Sequence, residues 1–247
     1  MKRYLKPAYL PLITLGLGIV TYVLRTLLWA SAIGAEDGRL LPAGTWPDVL
    51  SWIVVAATMA LLGIGTRNLR GAAKYSYNFP PSIPAAIGMA LAGVSFCITS
   101  LADLSTSTDP IGTTSAILGF FAAAALGYLA YGRVKGIRLS VVFHGIVCLY
   151  LMLHLISHDR LWSSFPQLQS YAFELLAIVF VMLACYHRAA FDSNCGNRRA
   201  YTFFSLAALF FCVATLPGCD NAAFFIGCAV WMFTTPCRLN LPVSKEE

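Results

Sequence analysis

Charge is what this chain has least of. Only 11% of its 247 residues are Asp, Glu, Lys or Arg, while 58% are hydrophobic. A soluble domain needs about a quarter of its residues charged to cover a wet surface. The shortage excludes a water-soluble globule, whose leftover apolar surface would aggregate. Several chemical signatures are also missing. The sequence holds no Walker or dinucleotide glycine loop, no Gly-x-Ser-x-Gly, and no paired aspartates within an apolar run. No Lys lies inside an apolar run, which removes a retinal Schiff base. Neither CxxC nor a Cys/His zinc spacing occurs. The longest stretch between apolar runs, residues 31–48, is too short for a soluble kinase or sensor domain. No cofactor and no nucleic-acid partner are expected, because the residues behind the net charge of +6 lie in short loops between apolar runs.

The eight cysteines do not form a disulfide pattern. Cys97, Cys148, Cys185, Cys212, Cys228 and Cys237 lie in or at the ends of apolar runs, where a thiol behaves as a small hydrophobe. Cys195 belongs to a loop placed inside the cell, a reducing compartment. Cys219 is near the outer surface, with no partner evident there.

What the chain has in quantity is long apolar runs. A membrane-spanning helix takes about 20 mostly apolar residues, or about 17 at the short end. The runs Tyr9–Ala30, Val49–Thr66, Pro84–Ala102, Ile111–Tyr131, Leu139–Ser157, Leu168–Tyr186, Tyr201–Leu216 and Ala222–Thr235 fit that rule, the last two being short. Pro217-Gly218-Cys219-Asp220-Asn221 has the composition of a tight turn and predicts a hairpin of the last two spans. The expected fold is therefore an all-α polytopic bundle of about eight spans, in one integral membrane domain and in contact with a lipid bilayer.

Basic residues orient it. With the N-terminus inside, the inner segments hold Lys2, Arg3, Lys6, Arg67, Arg70, Lys74, Arg133, Lys135, Arg138, Arg188, Arg198, Arg199, Arg238 and Lys245. The outer loops hold only Arg39 and Arg160, together with Glu36, Asp37, Asp48, Asp109, Asp159 and Asp220. This is the positive-inside bias, and it sets both termini on the cytoplasmic side of a cell membrane. An odd number of spans would put the basic C-terminal stretch outside. Trp29, Trp46, Trp52 and Trp162 fall near the outer interface, where indole rings prefer to sit. The first run, ending in Ala30-Ser31-Ala32, has the look of a signal peptide, but its length and Arg25 mark it as an uncleaved span.

The halves resemble each other. Trp46-Pro47-Asp48-Val49-Leu50-Ser51-Trp52 matches Phe165-Pro166-Gln167-Leu168-Gln169-Ser170-Tyr171 in pattern. Phe96–Leu101 matches Phe211–Leu216, and Gly18-Ile19-Val20 matches Gly145-Ile146-Val147, in the same order. The expectation is a parallel 4+4 duplication of residues 1–135 and 136–247, an arrangement that recurs in transporters. Gly119, Ala123 and Gly127, and likewise Gly88 and Ala92, recur every four residues, the spacing that lets helix backbones approach. Their use is either packing within the chain or a homodimer face. The inner loop Tyr75–Pro84, aromatic and proline-rich, is expected to lie on the inner interface or to dock a cytoplasmic partner.

Ionisable groups inside spans are costly, so each is a candidate functional residue. Glu174 lies within the sixth span, Arg25 near the outer end of the first, and Asp103 at the outer end of the third. His154 and His158 share one face of the fifth. All five belong to the outer leaflet, where they could line a polar cavity, with Glu174 as proton or cation site, Arg25 as counter-ion and the histidines as relays. The structural alternative is an Arg25–Glu174 pair with hydrated histidines. His154-x-x-x-His158 could also share a metal, but Leu155 stands where a zinc protease has its Glu, so no metal site is assigned. His144, deeper toward the inside, reads as a packing residue. The expected function is transport of a small solute or ion. The alternatives are an accessory or sensor subunit bound to a cytoplasmic partner, and an intramembrane metal-dependent enzyme.

Overall fold

The computed structural model describes residues 9–32, 44–67, 69, 74–106, 109–162 and 168–235. Outside them lie the N-terminal Lys2, Arg3 and Lys6, the outer-loop residues Glu36, Asp37 and Arg39, Arg70, the Phe165-Pro166 end of the repeat match, and Cys237, Arg238 and Lys245.

Every described element is a helix: α1 (Leu10–Ala32), α2 (Trp46–Thr66), α3 (Tyr75–Asn78), α4 (Ile83–Thr106), α5 (Pro110–Lys135), α6 (Val141–Trp162), α7 (Leu168–Asp192), α8 (Arg198–Thr215) and α9 (Ala222–Thr234). Eight of them coincide with the eight apolar runs, and α3 is a single turn in the inner loop. Local chemistry sets several ends. Pro47 and Pro110 open α2 and α5, where a missing N–H costs little. Gly136 closes α5 in the left-handed conformation, φ 68°. The Asn197 side chain caps α8 by accepting from the backbone N–H groups of Arg199 and Ala200.

Six helices (α1, α2 and α4 to α7) are long and apolar enough to cross a membrane. The shortest of the six elements, α2, has 21 residues, about 31 Å at 1.5 Å per residue, which matches a hydrocarbon core of about 30 Å. Helix α8 has 18 residues and starts on two arginines, and α9 has 13. These two pack together in the interior of the bundle. The Tyr201 hydroxyl near the start of α8 donates to the Thr235 carbonyl just past α9, at 3.0 Å, so the pair is an antiparallel hairpin. Gly218 makes its turn possible: its φ is +80°, and a Cβ there would collide with the Trp29 ring.

Helices α4 to α9 close into a ring, each against its neighbour in sequence and α9 against α4. Helix α1 packs on α2 and α8 outside that ring, and α2 also reaches α8. The outer surface is apolar, and the apolar core inside is interspersed with buried hydroxyls. Leu12, Ile53, Ile64, Phe121, Val142 and Tyr186 are exposed, whereas Thr14, Ser51, Thr58, Ser95, Ser100, Thr202 and Ser205 are buried. Lipid is the solvent such a surface suits. Many of the buried hydroxyls donate to a backbone carbonyl one turn back, as Thr14 does to Leu10 and Ser51 to Pro47, both at 2.7 Å.

Small residues let the helices approach. A Cβ on Gly88 would strike Thr234 of α9, and one on Gly227 would strike Ser95 of α4. On Gly119 it would strike Ser100 of α4 and Tyr150 of α6. Gly88 and Gly119 are thus used within the chain, whereas Gly127 has open space around its Cβ position.

Candidate functional site

Six pairings show which helix ends lie together. At one end, Arg133 of α5 donates to the Pro80 carbonyl ahead of α4 at 2.7 Å, His144 at the start of α6 is 2.8 Å from Asp192 at the end of α7, and Tyr201 reaches Thr235. At the other end, Asp103 of α4 meets His154 of α6, Arg25 of α1 covers Phe173 of α7, and Trp29 covers Gly218. The first end carries the described inner basic residues, and the second carries all five expected site residues.

The five form two groups. In the first, Asp103 Oδ2 lies 3.6 Å from His154 Nδ1, and the His154 and His158 rings are 4.1 Å apart. His158 Nδ1 sits 3.0 Å from the His154 carbonyl oxygen, which ties the second ring to the helix backbone. His154 is buried between Tyr150 and Phe224, with ring centroids at 5.5 and 4.9 Å, and Phe224 in turn stacks on Phe96. This histidine therefore faces the centre of the ring of helices, while Asp103 stays partly open to the outer side, 19% exposed. Among the described residues no group of three His, Cys, Asp or Glu side chains converges to hold a metal ion.

The second group gathers around Arg25, which is 4% exposed. Its guanidinium lies 4.1 Å from the Phe173 ring centroid, a cation–π contact strengthened by the dry surroundings. The same Phe173 packs on Trp52 of α2 at 5.1 Å. Glu174, the next residue, is 6% exposed and lies within electrostatic reach of Arg25 and of Asp220 in the α8–α9 turn. Asp48 at the start of α2 also acts on Arg25. Four elements thus deliver one arginine and three carboxylates to the outer end. Cys219, in the same turn, has its thiol pushed up to about 12, first by burial and then by the Glu174 charge. In the sequence Asp48 and Asp220 look like ordinary outer-loop acids; their neighbours give no sign that Asp48 acts on Arg25 and Asp220 on Glu174.

The inner end holds a second cluster of buried charge that sequence reading did not single out. Arg133, Arg188, Asp192 and Arg198 are all buried, beside His144 and an aromatic knot of Tyr75, Phe79, Phe191 and Tyr201. The inner loop supplies Tyr75 and Phe79, so it folds against the ends of α5, α7 and α8. A signal was available: Arg188 and Asp192 are four residues apart on one helix face, inside α7.

Compared with models of protein families, with curated proteins and with solved structures, the chain matches none of them.

Proposed function

We propose that the protein is a permease-like carrier of a small solute or ion in the cell membrane, with Glu174 as the residue that engages the substrate or its coupling cation. One observation carries this reading: a carboxylate buried inside a membrane helix, approached by Asp220 and next to a buried arginine on which Asp48 also acts. A carboxylate in that position is costly, and a cation or proton that reaches it relieves the cost. Arg25 holds the site ready by offsetting part of the charge. Asp103, His154 and His158 supply a second set of proton-accepting groups at the same end, His154 among them facing the centre of the ring of helices. The duplication of residues 1–135 and 136–247 belongs to the same reading, since paired halves are a common carrier architecture. The halves differ in packing: α7 lies along α8, whereas its counterpart α2 lies on α1 and α8.

The test is flux through purified protein in proteoliposomes loaded with a pH-sensitive dye and challenged with a panel of small solutes and alkali cations. Wild-type protein gives a solute-dependent or cation-dependent signal, and Glu174→Gln abolishes it at equal reconstituted amount. Wild-type flux in the Gln variant would remove Glu174 from the site. A silent wild type across the panel favours an accessory subunit.

A further inference from the structure

We infer that the inner end of the bundle carries a binding site for a small oxyanion, of phosphate or phosphate-monoester type, between Arg133, Arg188 and the face of α8 that bears Arg198.

Three arginines sit there at 3% exposure each. The Arg188 guanidinium lies over the Phe79 ring, 3.4 Å from its centroid, with Tyr75 at 4.8 Å. Arg133 approaches the same ring at 5.1 Å and spends one Nη on the Pro80 carbonyl. Two guanidinium groups therefore share one phenylalanine and repel each other. Arg198 precedes Tyr201 by three residues and so lies on the helix face that packs against Phe79. Asp192 is the single carboxylate among the described residues at this end, and its Oδ2 is turned to His144. The buried cations outnumber it three to one.

Several of their donors are also unused. Arg188 Nε and Nη1, Arg198 Nε and Nη2, and Arg133 Nε are buried with no hydrogen-bond partner. Unpartnered buried N–H groups on a charged side chain are expensive, and a buried cation without a counter-charge more so. Contact with aromatic rings fixes the Arg133 and Arg188 guanidinium groups in place, so these two forks are oriented before anything binds. An oxyanion with several acceptor oxygens satisfies such an array, because planar forks match phosphate geometry two bonds at a time. A chloride ion has the charge without the directed oxygens. The site is distinct from the outer Glu174 group and does not depend on the carrier reading. The oxyanion can reach it as free phosphate from the inner side or as the headgroup of an anionic lipid.

Thermal unfolding of the full-length protein separates these outcomes. In neutral detergent, sodium phosphate is titrated against sodium chloride at constant ionic strength; in parallel, protein is placed in nanodiscs of phosphatidylcholine with or without phosphatidylglycerol. A saturable rise in Tm with phosphate beyond chloride, whose half-saturation moves at least tenfold in Arg188→Gln and is partly restored in Arg188→Lys, supports the site with free phosphate as ligand. A rise only with phosphatidylglycerol, lost in Arg188→Gln, supports it with the lipid headgroup as source. Arg133→Gln serves where Arg188→Gln yields no folded protein. Wild-type protein that responds to neither would overturn the inference, as would a response that both Gln variants retain in full.

Discussion

At Gly119 the absence of one methyl group decides how three helices meet. Ser100 of α4 and Tyr150 of α6 both occupy the space where a Cβ would stand. Gly119→Ala therefore forces the enclosed Ser100 and Tyr150 side chains to shift and should destabilise the protein by about 1–3 kcal/mol, as overpacking does. Gly127→Ala, on the same helix but with nothing near its Cβ position, should be neutral or stabilising by up to about 1 kcal/mol. Unfolding in detergent under matched conditions reads both. The every-four spacing of Gly119, Ala123 and Gly127 was visible in the sequence; which of them meets a neighbour was not, because that depends on where α4 and α6 lie. Cys219 offers a test of the outer site at the same scale. A thiol held near 12, against an ordinary value of 9, has about a thousandfold less thiolate below pH 9. Maleimide labelling of Cys219 should be slow at pH 7 and rise about tenfold per pH unit toward 12. Glu174→Gln removes a charge that raises this pKa, so labelling should be faster in the variant at alkaline pH, where the buried carboxylate is ionised. Equal rates in the two proteins would separate Cys219 from Glu174.

Helix α8 explains why hydropathy alone divides the elements unevenly. Its first turn carries Arg198 and Arg199, and it is surrounded by α1, α2, α7 and α9. A helix wrapped in protein needs no lipid-facing stripe, so it tolerates a charged start and a length that would be marginal on its own. The other spans are legible in position, and several of their apolar runs stop short of the helix ends. Helix α5 runs to Lys135 and α7 to Asp192, past the apolar runs that end at Tyr131 and Tyr186. Apolarity stops at the interface, whereas backbone groups there still need hydrogen-bond partners, so the helix continues. Those extra turns hold Arg133, Arg188 and Asp192, which look like loop charges when only hydropathy is read. Removing a buried side chain from α8 should be felt more than removing one that faces lipid. Leu209 is fully enclosed and Ile98 is exposed. Lipid is about as apolar as leucine, so little of the transfer energy is lost in either case. The cavity and its lost packing contacts remain at Leu209→Ala, at a cost on the order of 2 kcal/mol, while Ile98→Ala should cost well under half of that. Denaturant titration of both variants in the same micelle checks the difference.

Taken whole, the molecule sorts its charge by end. Pairings at the helix termini show adjacent ring helices running in opposite directions, with Arg133, His144, Arg188 and Asp192 at one end and Arg25, Asp103, His154 and Glu174 at the other. The ends follow from packing alone; the expectation of which one faces the cytoplasm rests on the basic residues, and of the described ones all but Arg25 and Arg160 lie toward the Arg188 end. The two arguments are independent, and they make one prediction about accessibility. Thr106 closes α4 at the outer end and is exposed, while Cys195 is exposed in the turn between α7 and α8 at the inner end. In a chain whose other cysteines are replaced, Thr106→Cys should react with a membrane-impermeant maleimide in right-side-out vesicles, and Cys195 should react only in inverted ones. Reaction of both from the same side would break the antiparallel arrangement. The reverse pattern would leave the bundle intact and turn it over, placing the arginine cluster outside and Glu174 toward the cytoplasm. Orientation matters beyond bookkeeping of loops, since the side on which each buried cluster opens determines which pool of ions it can sample. An inward arginine cluster meets the phosphate-rich cytoplasm and the anionic inner leaflet, and an outward carboxylate cluster meets the cations and protons of the exterior.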